Sequence, residues 1–222
     1  MAAKKIWAVI PAYNEEKSIK NIVSNTQKYV DEVVVVDDGS RDNTKKSAEK
    51  SGAVVLSHVI NLGKGATLRT GCDFAASKGA KHIVVLDADA QHDPADIPRF
   101  TEKLGKYDIV FSYRKRSSQM PFVLRFGNWF ISRAVFFLYG ISLNDTQSGY
   151  RAFSTEAYKK IRWNASDYSM ETEMISKAGK QKLKYVQIPI GTIYSDKYKG
   201  TTIIDGIKIV LNMVWWKIFN GR

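Results

Sequence analysis

Three runs of this chain, Ile6 to Ile10, Val33 to Val36 and Ile83 to Leu86, are apolar at nearly every position instead of at every second one. A strand with one wet face alternates, so an unbroken apolar run of this length needs cover on both faces. Stretches of helical length lie between the runs: one from about Glu15, one ending near Gly52 and one from Ala66 to Lys78. Ala53 to Ser57 and Ile109 to Ser112 read as further strands, and Asp93-Pro94 as a cap and first-turn pair. Strand and helix in alternation predict an α/β fold, a Rossmann-like and mostly parallel sheet flanked by helices. Right-handed crossovers then bring every strand end to one edge, where a ligand should sit.

The 222 residues, 44% of them hydrophobic, suffice for one globular domain. After Arg116 the pattern changes. Two amphipathic, aromatic-rich helices are predicted, over 121–139 and 203–219, so residues 1–116 hold the ligand rim and 117–222 form a second half of the same domain. Arg125, Asn128 and Ser132 share a polar stripe on the first, while Asp205, Lys208 and Asn212 share one on the second. Interior charges keep either run from spanning a bilayer comfortably. A net charge of +12 favours phosphates, anionic lipid headgroups or nucleic acid, and with no nucleic-acid motif present the last ranks lowest. The apolar run between Lys5 and Pro11 is only five residues long, too short for a secretory signal core, so a cytoplasmic location is expected. Cys72 is the only cysteine, which excludes an internal disulfide and a thiolate metal cluster and suggests a buried, inert thiol.

Four predicted strand ends carry acidic, glycine or small polar residues: Pro11 to Glu15, Asp37 to Ser40, Asn61 to Gly65 and Asp87 to Gln91. In the last, two carboxylates flank a small residue and an amide oxygen comes two positions later, a hard-oxygen set suited to Mg2+ or Mn2+ bridging a diphosphate. The plainer alternative is that Asp87 and Asp89 only end the strand and cap the next turn. Asp38 either accepts hydrogen bonds from a nucleobase or ribose, or sits in a turn capped by Ser40 or Asp42. Lys64, between Gly63 and Gly65, suits a phosphate, although the spacing is not that of a P-loop. Asn14 reads as a helix cap before Glu15 and Glu16. His92 adjoins the acidic motif; His58 and His82 read as ordinary strand-flanking residues.

In their order, Pro-Ala-Tyr-Asn-Glu-Glu, Val-Asp-Asp-Gly-Ser, Asn-Leu-Gly-Lys-Gly and Asp-Ala-Asp-Ala-Gln-His resemble the family-2 glycosyltransferases of GT-A fold, especially the dolichyl- and polyprenyl-phosphate sugar synthases. The likeness continues through Asn144 to Arg151 and Met170 to Met174, nearly the whole chain. It implies that Pro11, Ala12, Tyr13, Glu15, Asp38, Lys64, Asp87 and Ala88 hold the donor, and that Asp87, Asp89 and Gln91 surround the metal. It makes Arg114, Arg125, Asn128 and Ser148 candidates for the acceptor phosphate, and Asp89, Arg114, Arg151 and Glu171 candidates for catalysis. Glu171 and Glu173 are two apart and cannot face the same way on a helix, so Glu171 is assigned to the site and Glu173 to a salt bridge or cap.

The resemblance implies inverting transfer of a hexose from a GDP- or UDP-sugar to dolichyl or polyprenyl phosphate, peripherally at the cytoplasmic face of a membrane. Peripheral binding or an anchoring partner would supply the membrane contact. An anionic acceptor makes a strong general base unnecessary. Three rivals share parts of the pattern: a family-2 transferase acting on a glycan, which would need a carboxylate base; a nucleotidyltransferase, disfavoured by the absence of glycine from Pro11 to Glu16; and a non-catalytic nucleotide-sugar sensor.

Overall fold

The computed structural model describes residues 5–114, 132–133 and 135–191. Seven strands form one sheet: β1 (Ile6–Ala12), β2 (Glu32–Asp37), β3 (Val54–Ser57), β4 (His82–Val85), β5 (Ile109–Arg114), β6 (Arg151–Ser154) and β7 (Tyr185–Ile190). Their order is β3-β2-β1-β4-β6-β5-β7. Every neighbouring pair is parallel except the two made by β6, which runs antiparallel to β4 and to β5. The expected α/β architecture is therefore present, with one reversed strand in its middle.

The unbroken apolar runs are explained by two cores, one on each face. Val9, Val34, Val36, Ile83 and Val85 join Leu68 and Cys72 of α3 (Lys64–Ser77) and Met174 and Ile175 of α7 (Met170–Lys180). Ala8, Ile10, Val33, Val35 and Val84 join Ile19, Ile22 and Val23 of α1 (Ile19–Thr26) and Phe100 of α4 (Ile97–Thr101). Each such Val or Ile contributes about 1.5–3 kcal/mol by leaving water, so a polar residue on either face would be costly. The close approach of α3 depends on Gly71, where a Cβ would stand 2.4 Å from Val9 Cγ1 and 2.9 Å from Val36 Cγ2. Cys72 is buried, as expected, and burial pushes its thiol well above the ordinary range.

Several boundaries differ from the sequence reading. The first helix starts at Ile19, not near Glu15, because another loop engages the backbone before it: Glu15 N donates to Thr44 Oγ1 at 2.8 Å and Glu16 N to Asp42 Oδ2 at 3.2 Å. Asn14 does not cap the helix. It holds a left-handed conformation, φ 55°, and its Oδ1 accepts from Arg41 N. α2 (Thr44–Lys50) ends before Gly52, as expected. Asp93 accepts from Ala95 N at 2.9 Å ahead of a 3-10 turn, Pro94–Asp96, which is the predicted cap and first-turn pair.

The apolar pattern does not signal β6 and β7. β6 is only four residues long and opens with an arginine; β7 lies at the sheet edge, where Pro189 is tolerated. Arg151, the first residue of β6, pairs with Val85 and with Phe111. Since β6 runs backwards, its start lies at the edge where the other strands end, so the segment 144–150 arrives at the rim as well. α6 (Thr155–Ile161) comes next, capped by Ser154, whose side chain accepts from Ala157 N.

Of the helix expected over 121–139, residues 132–133 and 135–139 (α5) are helical. Val135 and Tyr139 of α5 enter the core beside α7, while Phe137 is 75% exposed. Arg125, Asn128 and the expected helix 203–219 lie outside the described residues. No helix among the described residues is long and apolar enough to cross a membrane.

Candidate active site

β1, β2, β3 and β4 deliver the four sequence segments to one rim. Pro11 and Ala12 remain in register with Val36 and Asp37, and Tyr13, the first residue beyond β1, is exposed. Asn14 N donates to Ser40 Oγ at 2.9 Å, binding the first segment to the second. Gly39, at φ 73°, is required here: a Cβ would lie 2.9 Å from the carbonyl carbon of Ile60.

Asp38, expected against a nucleoside, faces the chain itself. Its carboxylate accepts from Leu62 N and Gly63 N, each at 2.9 Å, and its Oδ1 is 2.7 Å from His58 Nδ1. Burial alone would raise this carboxyl, but these donors outweigh it and hold the group below its ordinary range. Asp38 thereby fixes the turn that leads into Lys64. The opposite ring nitrogen of His58 is 3.1 Å from Thr70 Oγ1 on α3, so a chain of contacts runs from rim to helix. The strand-flanking reading of His58 misses this.

Lys64, Asp87 and Glu171 form the charged centre of the rim. The Lys64 ammonium is 2.8 Å from Asp87 Oδ1 and 3.4 Å from Glu171 Oε1. Burial lowers its proton affinity, but the two carboxylates more than offset that and keep it charged far above neutral pH. Burial raises Asp87, yet Lys64 and His92 hold it well below the usual carboxylate range. His92 Nε2 lies 3.7 Å from Asp87 Oδ2, which brings that histidine into the site. Asp89 and Glu171 go the other way. Burial and the neighbouring charge of Asp87 raise Asp89; burial raises Glu171 against the pull of Lys64 and Arg151.

That raised Asp89 tests whether the residues fit a divalent cation. Two hard-oxygen groups crowd each other at the end of β4, and a cation would relieve the repulsion that now disfavours ionised Asp89. Gln91 N donates to Asp89 Oδ1 at 3.0 Å, which fixes that side chain. No cluster of three or more acidic, His or Cys side chains with metal-holding geometry occurs among the described residues. A Mg2+ or Mn2+ ion here would therefore draw on one or two carboxylates plus phosphate oxygens and water, which suits Mg2+ in particular. In that sense Asp87 and Asp89 fit the ion.

The N-terminus of α3 is closed by protein and not offered to a ligand. Gly65 N and Ala66 N both donate to Ser166 O, at 2.7 and 3.2 Å. A Cβ on Gly65 would stand 2.4 Å from Ala165 O, so this glycine permits the contact. Glu173 holds the facing turn, accepting from Asn164 N at 3.0 Å and Ala165 N at 2.9 Å and pairing with Lys177 at 2.7 Å. Glu171 and Glu173 thus point apart, as the helical spacing requires.

On the far side of the rim, the residues expected to hold an acceptor phosphate are differently placed. Arg151 is 2% exposed; its Nε donates to Ser148 O at 2.9 Å, one terminal nitrogen to Thr146 O at 2.8 Å and the other to Met174 Sδ at 3.4 Å. It braces the 144–150 segment from beneath, and burial lowers its proton affinity. Expected at a phosphate and in catalysis, Arg151 here meets the chain's own carbonyls and a thioether. The Ser148 hydroxyl is likewise turned to the chain, buried against Ser112 Oγ, which itself donates to Tyr150 O at 2.6 Å. Arg114 does reach the rim, in a bidentate pair with Asp145 at 2.6 and 3.2 Å.

Gly149, Asp145 and His58 adjoin the candidate site, and none of them is assigned a place in it from sequence. A Cβ on Gly149 would lie 2.5 Å from Asp87 Oδ2 and 3.0 Å from the Lys64 ammonium, so the 144–150 segment roofs the charged pair. The signal is present in Ser148-Gly149-Tyr150: a glycine two residues ahead of a strand suits close approach of backbone to another group.

Residues 7–162 match the family described as Glycosyl transferase family 2. The UDP-N-acetylglucosamine--dolichyl-phosphate N-acetylglucosaminyltransferase of Methanococcus voltae is 35% identical, the match covering 98% of this chain and 98% of that one. The undecaprenyl-phosphate mannosyltransferase of Micrococcus luteus is 26% identical over 96% of this chain and 93% of its own length. Glucosyl-3-phosphoglycerate synthase from Mycobacterium tuberculosis, solved with Mg2+ and uridine diphosphate, shares the fold with a TM-score of 0.76 and 23% identity, over 96% of this chain and 80% of that one.

Proposed function

The chain belongs to glycosyltransferase family 2, and we propose that it transfers a hexose, with inversion, from a GDP- or UDP-sugar to dolichyl or another polyprenyl phosphate. The observation that carries this reading is the acid pair at the end of β4, with Asp89 raised by burial and by Asp87. A bound Mg2+ or Mn2+ would supply Lewis-acid stabilisation of the departing nucleoside diphosphate, held by Asp87 and Asp89. The acceptor class rests on the two relatives, whose names specify dolichyl and undecaprenyl phosphate.

In the reaction an acceptor phosphate oxygen attacks the anomeric carbon. The bond from that carbon to the donor diphosphate breaks, and its electron pair leaves with the nucleoside diphosphate. The acceptor arrives already ionised, so no side chain has to remove a proton, and positioning carries much of the rate. Pro11, Ala12, Tyr13 and Glu15 border the donor, while Lys64 provides positive charge beside the diphosphate. Arg114 presents a guanidinium to the acceptor, held in orientation by Asp145. The net charge of +12 draws the protein to anionic headgroups at the cytoplasmic face, where a lipid acceptor would be met.

A rival hydroxyl acceptor, as on a glycan, would need a base. Glu171 is the candidate, since burial raises its carboxyl, but it is 3% exposed and paired with Lys64. A panel of labelled GDP- and UDP-sugars, offered to a short polyprenyl phosphate or to glycan acceptors with Mg2+ or Mn2+, separates the readings. Transfer to polyprenyl phosphate is expected; transfer only to glycans, or binding without turnover, would defeat the proposal.

A further inference from the structure

Lys64 stands where two demands meet. Its ammonium is 2.8 Å from Asp87 Oδ1, and Asp87 is also one of the two carboxylates suited to a divalent cation. Glu171 Oε1 is 3.4 Å away, and Glu171 Oε2 is buried with no hydrogen-bond partner among the described residues. An acceptor left unpaired in a dry site is costly, and a carboxylate 3% exposed gains most from a cation.

We propose that Lys64 competes with the divalent cation for Asp87, and that Glu171 is the partner to which the Lys64 ammonium transfers when a cation holds Asp87. The inference rests on the reading of Asp87 and Asp89 as metal ligands. The backbone of Lys64 need not move, because the first turn of α3 is tied to Ser166 O through Gly65 N at 2.7 Å. Only a flexible side chain carrying three donors has to swing between neighbouring carboxylates. Arg151 adds positive charge near Glu171, but its Nε and one terminal nitrogen are held by Ser148 O and Thr146 O, which leaves Lys64 as the side chain free to swing. Gly149 roofs the pair, with a would-be Cβ 3.0 Å from the ammonium, so the exchange is confined to the side facing Glu171 and Tyr168, whose ring centroid is 5.7 Å from Nζ.

A lysine that merely adds positive charge would act on metal affinity independently of Glu171. An exchange makes the two residues interdependent, which a double-mutant cycle reads. The measurement is Mn2+ affinity of the full chain with saturating UDP or GDP, from the paramagnetic resonance of Mn2+ against a nucleotide-only control, with thermal unfolding to check each variant. Lys64→Met should tighten Mn2+ by about tenfold, since a competing charge is gone. Glu171→Gln should weaken it by about threefold, and that weakening should vanish in the Lys64→Met background. Asp89→Ala should lose Mn2+ binding in every background.

Equal Glu171→Gln effects in both backgrounds would overturn the transfer. If Asp89→Ala loses Mn2+ but Lys64→Met does not bind it more tightly, the competition is overturned while the metal reading survives. If neither the wild type nor Lys64→Met binds Mn2+, both fall. Should Lys64→Met fail to fold, Lys64→Gln, neutral and polar, gives the same readout.

Discussion

Segments 11–15, 37–40, 61–65 and 87–91 reach the rim at the ends of parallel strands, whereas 144–151 reaches it at the start of an antiparallel one. On the first side the backbone leaves the sheet, and polar side chains turn outward or to neighbouring loops. Across the rim the chain is about to enter the sheet, so Arg151 and Ser148 lie inside while Gly149 comes against Asp87 and Lys64. Similar polar residues thus work the surface on one side and brace the interior on the other. Strand direction decides between these fates, and it is not written in the local residue pattern.

The sharpest way to break this comparison is at its two extremes. Asp89→Ala should lower kcat by about 10^3-fold with far-UV circular dichroism unchanged, the scale expected for losing stabilisation of developing charge. Near-normal turnover at ordinary metal concentration would remove Asp89 from the machinery. Arg151→Met should instead cost about 3 kcal/mol of stability in urea unfolding, by orphaning the carbonyls of Ser148 and Thr146. Arg151→Lys should not restore it, because an ammonium lacks the planar fork. A stable Arg151→Met that fails only in acceptor use would return Arg151 to the phosphate site.

Smaller effects sharpen the boundary. Gly149→Ala places a methyl against Asp87 and should lower kcat by about 100-fold, with unfolding little changed, since misplacement rather than burial is at issue. Glu173→Gln should cost about 1–2 kcal/mol by weakening charge-assisted bonds to Asn164 N and Ala165 N, and activity should track stability. The least effect is one of pH. Asp38 is held below its ordinary range, so its stabilising contribution is present above the unfolded carboxylate range near about pH 4 and is lost as pH falls through the lower folded value. Stability profiles of wild type and Asp38→Asn should therefore differ above that range and converge in acid; a constant gap at all pH would deny the carboxylate its role.

Much of the sheet is legible in advance because Val33 to Val36 and its counterparts have no use for a wet face. The acid pair, Lys64 and the opposed glutamates can also be placed, since strand ends and helical periodicity fix them locally. β6 cannot: Arg-Ala-Phe-Ser is too short and too polar to announce a central strand, and its place depends on pairing with Val85 and Phe111, far away in sequence. Without β6, nothing moves Arg151 and Ser148 off the surface. Asp38 escapes a sequence reading for a related reason, as its partners at 58, 62 and 63 belong to a loop whose fold no periodicity describes.

The reversed strand also bears on the order in which the molecule can be made. β4 and β5 are joined only through β6, so a nascent chain that has emerged only as far as Arg114 carries all four N-terminal rim segments, yet one edge of β4 has no partner. Such an edge is a template for pairing with another chain. Long-range closure of this kind is slow compared with the local strand–helix units before it. A fragment ending at Arg114 should therefore self-associate, and residues 151–154 are the segment that removes the hazard while bringing Gly149 over the charged pair.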